Sequence, residues 1–140
     1  MPKSKRLKTS PKPKKISLST LKKKADILWA ILVKIRAGNK CEVCGKEAKE
    51  VRLNSHHIIG RKYLPFRHDP RNGACLCASH HKFAPDRSAH ENPVWFFEWL
   101  GKNRAKDLKF LQRNYESALK VDYNVAIKNL QKEIDSLTRK

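Results

Sequence analysis

The segments CEVCG (residues 41–45), SHHIIGR (55–61) and RNGACLCASHHK (71–82) decide how this chain is read, because they hold all four cysteines and four of the six histidines. Cys41-x-x-Cys44 and Cys77-x-x-His80 are two short-spaced donor pairs, and together they make the thiolate and imidazole set that a tetrahedral structural zinc takes. Gly45 closes the first pair and permits the tight turn of a knuckle. In the second pair, a short helix puts Cys77 and His80, three apart, on one face. Cys75 shares a strand face with Cys77 and either replaces a ligand or is a small buried apolar residue. His81 competes with His80 for the fourth place, since Cys-x-x-x-His also spans a helical turn. A redox CxxC is disfavoured, because no strand–helix pattern of the thioredoxin type surrounds Cys41 and Cys44.

Outward from these segments the elements follow from periodicity. Val51, Leu53 and Ser55 alternate with Arg52, Asn54 and His56, which predicts a half-buried strand. Asp69-Pro70 and Asn72-Gly73 mark a long loop that returns to a second strand around Ala74 to Leu76. Cys77 to about Ala84 reads as a short helix stopped by Pro85. Upstream, Leu21, Ala25, Leu28, Leu32 and Ile35 recur at helical spacing, with Ser19 or Thr20 as cap and Gly38-Asn39 as the stop. Downstream, Asn92-Pro93 opens another helix. Its Trp95, Phe96, Phe97, Trp99 and Leu100 read first as core and second as a base-stacking platform.

The expected organisation is a basic disordered tail over 1–17, a zinc-knuckle domain over 18–100 and a helical extension over 101–140. The tail holds Lys3, Lys5, Arg6, Lys8, Lys12, Lys14 and Lys15, three prolines and no acidic residue, a composition that cannot bury a core. In the extension, helices broken near Val121 to Asn124 carry a seam of Tyr123, Ile127, Leu130, Ile134 and Leu137. That seam packs on the domain by default, with a dimer contact as the alternative, so the oligomeric state stays open between monomer and dimer.

Length and charge bound the function. The 140 residues suit one domain with appendages, and an apolar fraction of 39% implies a modest core that a metal can staple. Thirty-two Lys and Arg against thirteen Asp and Glu give +19. A field of that size favours polyanions, and nucleic acid rewards each neutralised phosphate through counterion release. The basic residues are spread along the chain, not gathered on one amphipathic stretch, which argues against a membrane surface as partner. The N-terminus has no apolar signal-peptide core and no apolar run is long enough to span a bilayer. The expected location is therefore cytoplasmic, where cysteines bind metal more readily than they form disulfides.

The pattern His56-His57, Asn72, His81, bracketed by the CxxC, resembles the HNH endonucleases of the ββα-metal or His-Me finger superfamily. Fourteen residues separate His57 from Asn72 and eight separate Asn72 from His81. The resemblance covers about residues 41 to 84. A finer one, to phage-type NinG-like or RecA-dependent HNH recombination nucleases, rests on the preceding Trp-containing helix and the knuckle; a phage protein of this kind would act in the bacterial host cell. The resemblance implies an α+β fold: a small ββα-metal core with structural zinc, flanked by an N-terminal helix and C-terminal helices. It implies a DNA endonuclease in which His57 is the general base, His56 and His81 hold a catalytic divalent metal (Mg²⁺, Mn²⁺ or Ni²⁺), and Asn72 ties the loop by hydrogen bonds. With His81 so engaged, His80 is the zinc ligand beside Cys41, Cys44 and Cys77. Arg61 either clamps the phosphate or is one more basic surface residue. Many members carry a third metal ligand four residues after His81, where this chain has Pro85; His90, Asp86 or water fills that place. The rivals are a zinc-stapled DNA-binding module without catalysis and a recombination accessory protein whose nuclease needs a partner.

Overall fold

The computed structural model describes residues 9–115 and 121–139. Helix α1 spans Leu18–Arg36. Ser17 caps it by accepting from the Thr20 amide, so the cap lies two residues before the expected Ser19, and Ser19 and Thr20 occupy the first turn. Gly38 and Asn39 end the helix with positive φ of 67° and 54°, the left-handed stop that these residue types tolerate. The buried face is Ala25, Trp29, Leu32 and Val33, shifted from the predicted stripe because Trp29 and Val33 receive the sheet.

Strand β1 is Leu53–His57 and β2 is Gly73–Cys77. They form an antiparallel pair with Leu53 opposite Cys77 and His57 opposite Gly73. β1 starts two residues later than the alternation suggests, at the point where pairing with β2 begins. The connection holds a one-turn helix α2 (Leu64–Arg67) and a 3₁₀ turn at Pro70–Asn72. Alternation along β2 divides the core. Cys75 and Cys77 face α1, while Ala74 and Leu76 join Phe96 and Leu100 in a second cluster.

After β2 the chain makes a single π turn, Ser79–Phe83, in place of the predicted α-helix. The Ala84 amide bonds the Ser79 carbonyl at 2.9 Å, five residues back, and Pro85 prevents any continuation. Cys77 is consequently the last strand residue and not the first residue of a helix. Such turns are rare and gather at functional sites.

Helix α3 (Pro93–Asn103) is capped by Asn92 as expected, α4 spans Ala105–Asn114 and α5 spans Tyr123–Thr138. Residue 100, placed by sequence at the end of the knuckle domain, lies inside α3. In α3 only Phe96 and Leu100 are fully buried; Trp95 and Trp99 are half-buried and Phe97 is exposed. Leu130 and Ile134 of α5 pack with Ala25, Trp29 and Leu32 of α1 in the main core, so the middle of the seam packs within the chain while Leu137 is exposed. No helix among the described residues is long and apolar enough to cross a membrane. Of the predicted tail, residues 9–17 are exposed and carry no helix or strand, and residues 1–8 lie outside the described residues.

The resulting α+β fold is a two-stranded sheet with helices on its flanks. Gly73 fixes the closest approach. A Cβ there would overlap the Val33 side chain and stand 2.9 Å from Trp29 Cζ2, so the glycine read as a turn signal is also what lets β2 seat against α1.

Candidate active site

The knuckle is a short hairpin closed by a bridge between Lys40 and Glu47, with Gly45 at φ 74° donating its amide to the Cys41 carbonyl at 2.8 Å. It brings Cys41 and Cys44 to Cys77 and His80, and the four donor atoms lie within 4.8 Å of one another. His80 Nδ1 stands 3.2 Å from Cys77 Sγ and 3.7 Å from Cys41 Sγ, and Cys44 Sγ stands 4.0 Å from Cys77 Sγ. Tetrahedral zinc with its usual bond lengths has edges of roughly 3.5–3.8 Å, so the donor set fits the ion. Burial works against ionising Cys41, but the backbone amides of Cys77, Cys44 and Val43 aimed at its sulfur outweigh it and bring the thiol below its ordinary value. Cys75 is different. It is fully buried against α1, and burial followed by the Glu42 charge pushes its thiol up to about 11. It stands outside the donor cluster and is a core residue.

Glu42, inside the knuckle, accepts from the Cys75 amide at 2.7 Å and from Arg104 at 2.7 Å. Arg104 sits where α3 gives way to α4 and also bonds Asp107 and the Gly73 carbonyl. This nearly buried guanidinium, unmarked in the sequence among so many basic residues, ties the helical extension to the zinc knuckle and to β2.

A second cluster lies across the sheet. His56, His81 and His90 offer ring nitrogens within 4.8 Å of one another. The π turn sends His80 to the zinc set and His81 to His56, which separates the two sites although their ligands are adjacent in sequence. His90 arrives by a return loop pinned to that turn, with Ala89 N on the His80 carbonyl and His90 N on the His81 carbonyl at 2.9 and 3.1 Å. Burial first, then the neighbouring His81 and His90, push His56 down to about 3, and His81 is lowered by burial and by His90. His56 and His81 are thereby favoured as neutral imidazoles with lone pairs to give, the form that binds a divalent metal. Asp86 is outside the cluster; its carboxylate is exposed and paired with Arg87 at 3.7 Å.

His57 leaves the opposite face of β1. Its ring stacks on Trp29 with centroids 3.7 Å apart and planes 7° from parallel. Nε2 donates to the Arg67 carbonyl at 2.9 Å; a carbonyl only accepts, so Nε2 carries the proton and Nδ1 is the free acceptor. Burial is the main cause of a lowered pKa, opposed by the bond to the carbonyl and helped by the Arg67 charge. The half-buried ring is neutral near pH 7.

Asn72 is fully buried. Its Oδ1 accepts from the Ile59 amide at 2.7 Å, and its Nδ2 donates to the carbonyls of Ile59 and Phe66 at 2.9 and 3.1 Å. The side chain thus laces both ends of the β1–β2 connection together. Arg61, on that connection, has an exposed side chain.

In the β1–β2 connection Phe66 and His68 are buried, and Arg67 and His68 both reach Asp26 on α1. No spacing rule could have joined residues so far apart in the chain.

Two cysteine–histidine pairs in a knuckle, a paired histidine ending one strand and an asparagine opening the next now stand together in space. Residues 41–83 match the HNH endonuclease family model. The matched HNH segment contains both strands, the π turn and every site residue named above except His90 and the framing residues of α1 and α4. No curated protein and no solved structure matches the chain.

Proposed function

We propose that the chain is a metal-dependent DNA endonuclease that hydrolyses phosphodiester bonds at the end of β1. The observation that carries this reading is the gathering of ring nitrogens from His56, His81 and His90 within 4.8 Å of one another, next in the chain to His57, whose Nε2 is bonded to a carbonyl and whose ring is stacked on Trp29. His56, His81 and His90 would hold a divalent cation, which when bound would supply Lewis-acid stabilisation of developing charge at the phosphate. His57 Nδ1 takes a proton from the attacking water. The new P–O bond forms as the P–O3′ bond breaks, and the departing 3′ oxygen takes a proton from solvent water, leaving a 5′-phosphate and a 3′-hydroxyl. Both His56 and His57 come from the last two residues of β1 and project to opposite faces, so the phosphate lies across the strand end. Arg61, exposed on the connection just beyond, pairs with phosphate oxygens there. Asn72 holds the connection that carries it.

DNA as the substrate follows from the HNH match and from a net charge of +19. The finer resemblance favours a role for this chemistry in phage or mobile-element DNA processing, with a recombination protein as partner. A plasmid-nicking assay with the zinc-loaded protein tests the core reading: nicking that requires added Mg²⁺, Mn²⁺ or Ni²⁺ supports it. Tight DNA binding without nicking under any of these metals overturns it in favour of a binding module. Nicking that starts only when a recombinase filament is added assigns the protein to partner-dependent recombination.

A further inference from the structure

Helix α1 presents Asp26, Trp29, Ala30 and Val33 along one stripe, at the spacing of helical neighbours, and each meets the β1–β2 region. Val33 abuts Gly73, and the Ala30 carbonyl accepts from Ser55 at 2.7 Å. Trp29 donates Nε1 to the Asp69 carbonyl at 2.9 Å, which fixes the indole beneath the His57 ring. Asp26 takes both ends of the Arg67 guanidinium, Nε and Nη2, at 2.7 Å each, and also bonds His68 Nε2 at 2.7 Å. The guanidinium further donates to the Arg61 carbonyl at 3.2 Å. A bidentate pair of this kind fixes orientation as well as distance. The residue it fixes is the one whose carbonyl receives His57 Nε2.

We propose that Asp26 is a positioning residue for His57: by clamping Arg67 and His68 it sets the Arg67 carbonyl against Nε2, while Trp29 sets the plane of the ring. The carbonyl controls which nitrogen is protonated and the indole controls tilt, so His57 is held as one tautomer in one orientation. A general base needs both, because a ring turned to offer Nε2 would present a proton where a lone pair is required. The proposal rests on the reading of His57 as the base; that Asp26 locks the imidazole can be measured without any catalysis.

The test combines nitrogen NMR of histidine-labelled, zinc-loaded protein with steady-state nicking in added Mn²⁺. Wild type should show His57 as a single Nε2–H tautomer. Asp26→Ala should show tautomer exchange at His57, a kcat lower by about 10–100-fold, as for loss of a partner that orients a functional histidine, and a KM for DNA within about twofold. Asp26→Asn, which keeps one acceptor, should fall between the two on both readouts. Zinc content and melting are recorded for each, and if Asp26→Ala does not fold, Asp26→Asn alone decides. An unchanged His57 spectrum in the folded variant overturns the proposal, whether kcat falls or not. If wild type does not nick, the base reading fails, and the spectrum still decides whether Asp26 fixes the ring.

Discussion

His90 Nε2 stands 3.2 Å from His81 Nε2, although eight residues, one of them Pro85, separate them in the chain. Two imidazole nitrogens at that distance either share a proton or face a common cation, and 3.2 Å matches the edge of a coordination shell with metal–nitrogen bonds of about 2.0–2.1 Å. His90→Ala should therefore raise the Mn²⁺ concentration for half-maximal nicking by at least about tenfold, since even outer-shell losses cost about 10–100-fold. Asp86→Ala should leave it unchanged. Equal metal dependence in the two variants would remove His90 from the ligand set.

Removal of the base should separate cutting from binding. His57→Ala is expected to lower the nicking rate by about 10²–10⁴ while zinc content and DNA affinity stay near wild type. Excess Mn²⁺ should partly restore His56→Ala and His81→Ala but not His57→Ala, whose missing function is proton transfer. A His57→Ala protein that cuts at the wild-type rate would show the base to be another group.

The Cys41, Cys44, Cys77 and His80 set is expected to act as a folding element once it holds zinc, because binding energy at such a site is folding energy. Metal analysis should find one tightly held zinc per chain, and Cys41→Ser should lose both the zinc and cooperative unfolding. Cys75→Ser should keep the zinc. Its buried hydroxyl costs about 1–3 kcal/mol if left unbonded, visible only as a lower Tm. Full zinc content in Cys41→Ser would refute the site.

At Gly73 the constraint is steric. Gly73→Ala pushes a methyl into Val33 and Trp29, and overpacking of this sort costs about 1–3 kcal/mol. Chemical denaturation should show the loss, and the double variant Gly73→Ala/Val33→Ala should recover part of it. No recovery would mean that the strain lies elsewhere.

The Asp26 cluster carries a pH signature. Burial opposes ionisation of Asp26, but the hydrogen bonds and charges of Arg67 and His68 outweigh it and hold the carboxyl below its ordinary value. A depressed carboxyl contributes stability that is present above its unfolded value, about 3.9, and is lost as pH falls through the folded value. The Tm difference between wild type and Asp26→Asn should be steady from about pH 5 upward and shrink below about pH 4. A gap that stays undiminished down to pH 3 would assign the effect to packing and not to charge.

The zinc set was legible in the sequence because its chemistry is local. Cys41-x-x-Cys44 and Cys77-x-x-His80 each span a single turn, so their spacing nearly dictates that each pair shares a ligand site. The same holds for the cap at Asn92, whereas the loop-tying role of Asn72, whose partners are Ile59 and Phe66, came from the HNH resemblance and not from spacing. The assignment of His80 and His81 to different sites was also legible, though the turn that achieves it is a π turn and not an α-helix. Only the tertiary structure decided between His90 and Asp86 as neighbours of His56 and His81, because that depends on how the loop after Pro85 folds back onto the π turn. Only it joined Asp26 to Arg67, and Trp29 to His57, across spans in which chain entropy allows many pairings and periodicity favours none. What selects among them is the packing of α1 on the sheet, where Gly73 leaves room for Val33 and so fixes the depth at which Trp29 and Asp26 meet the loop.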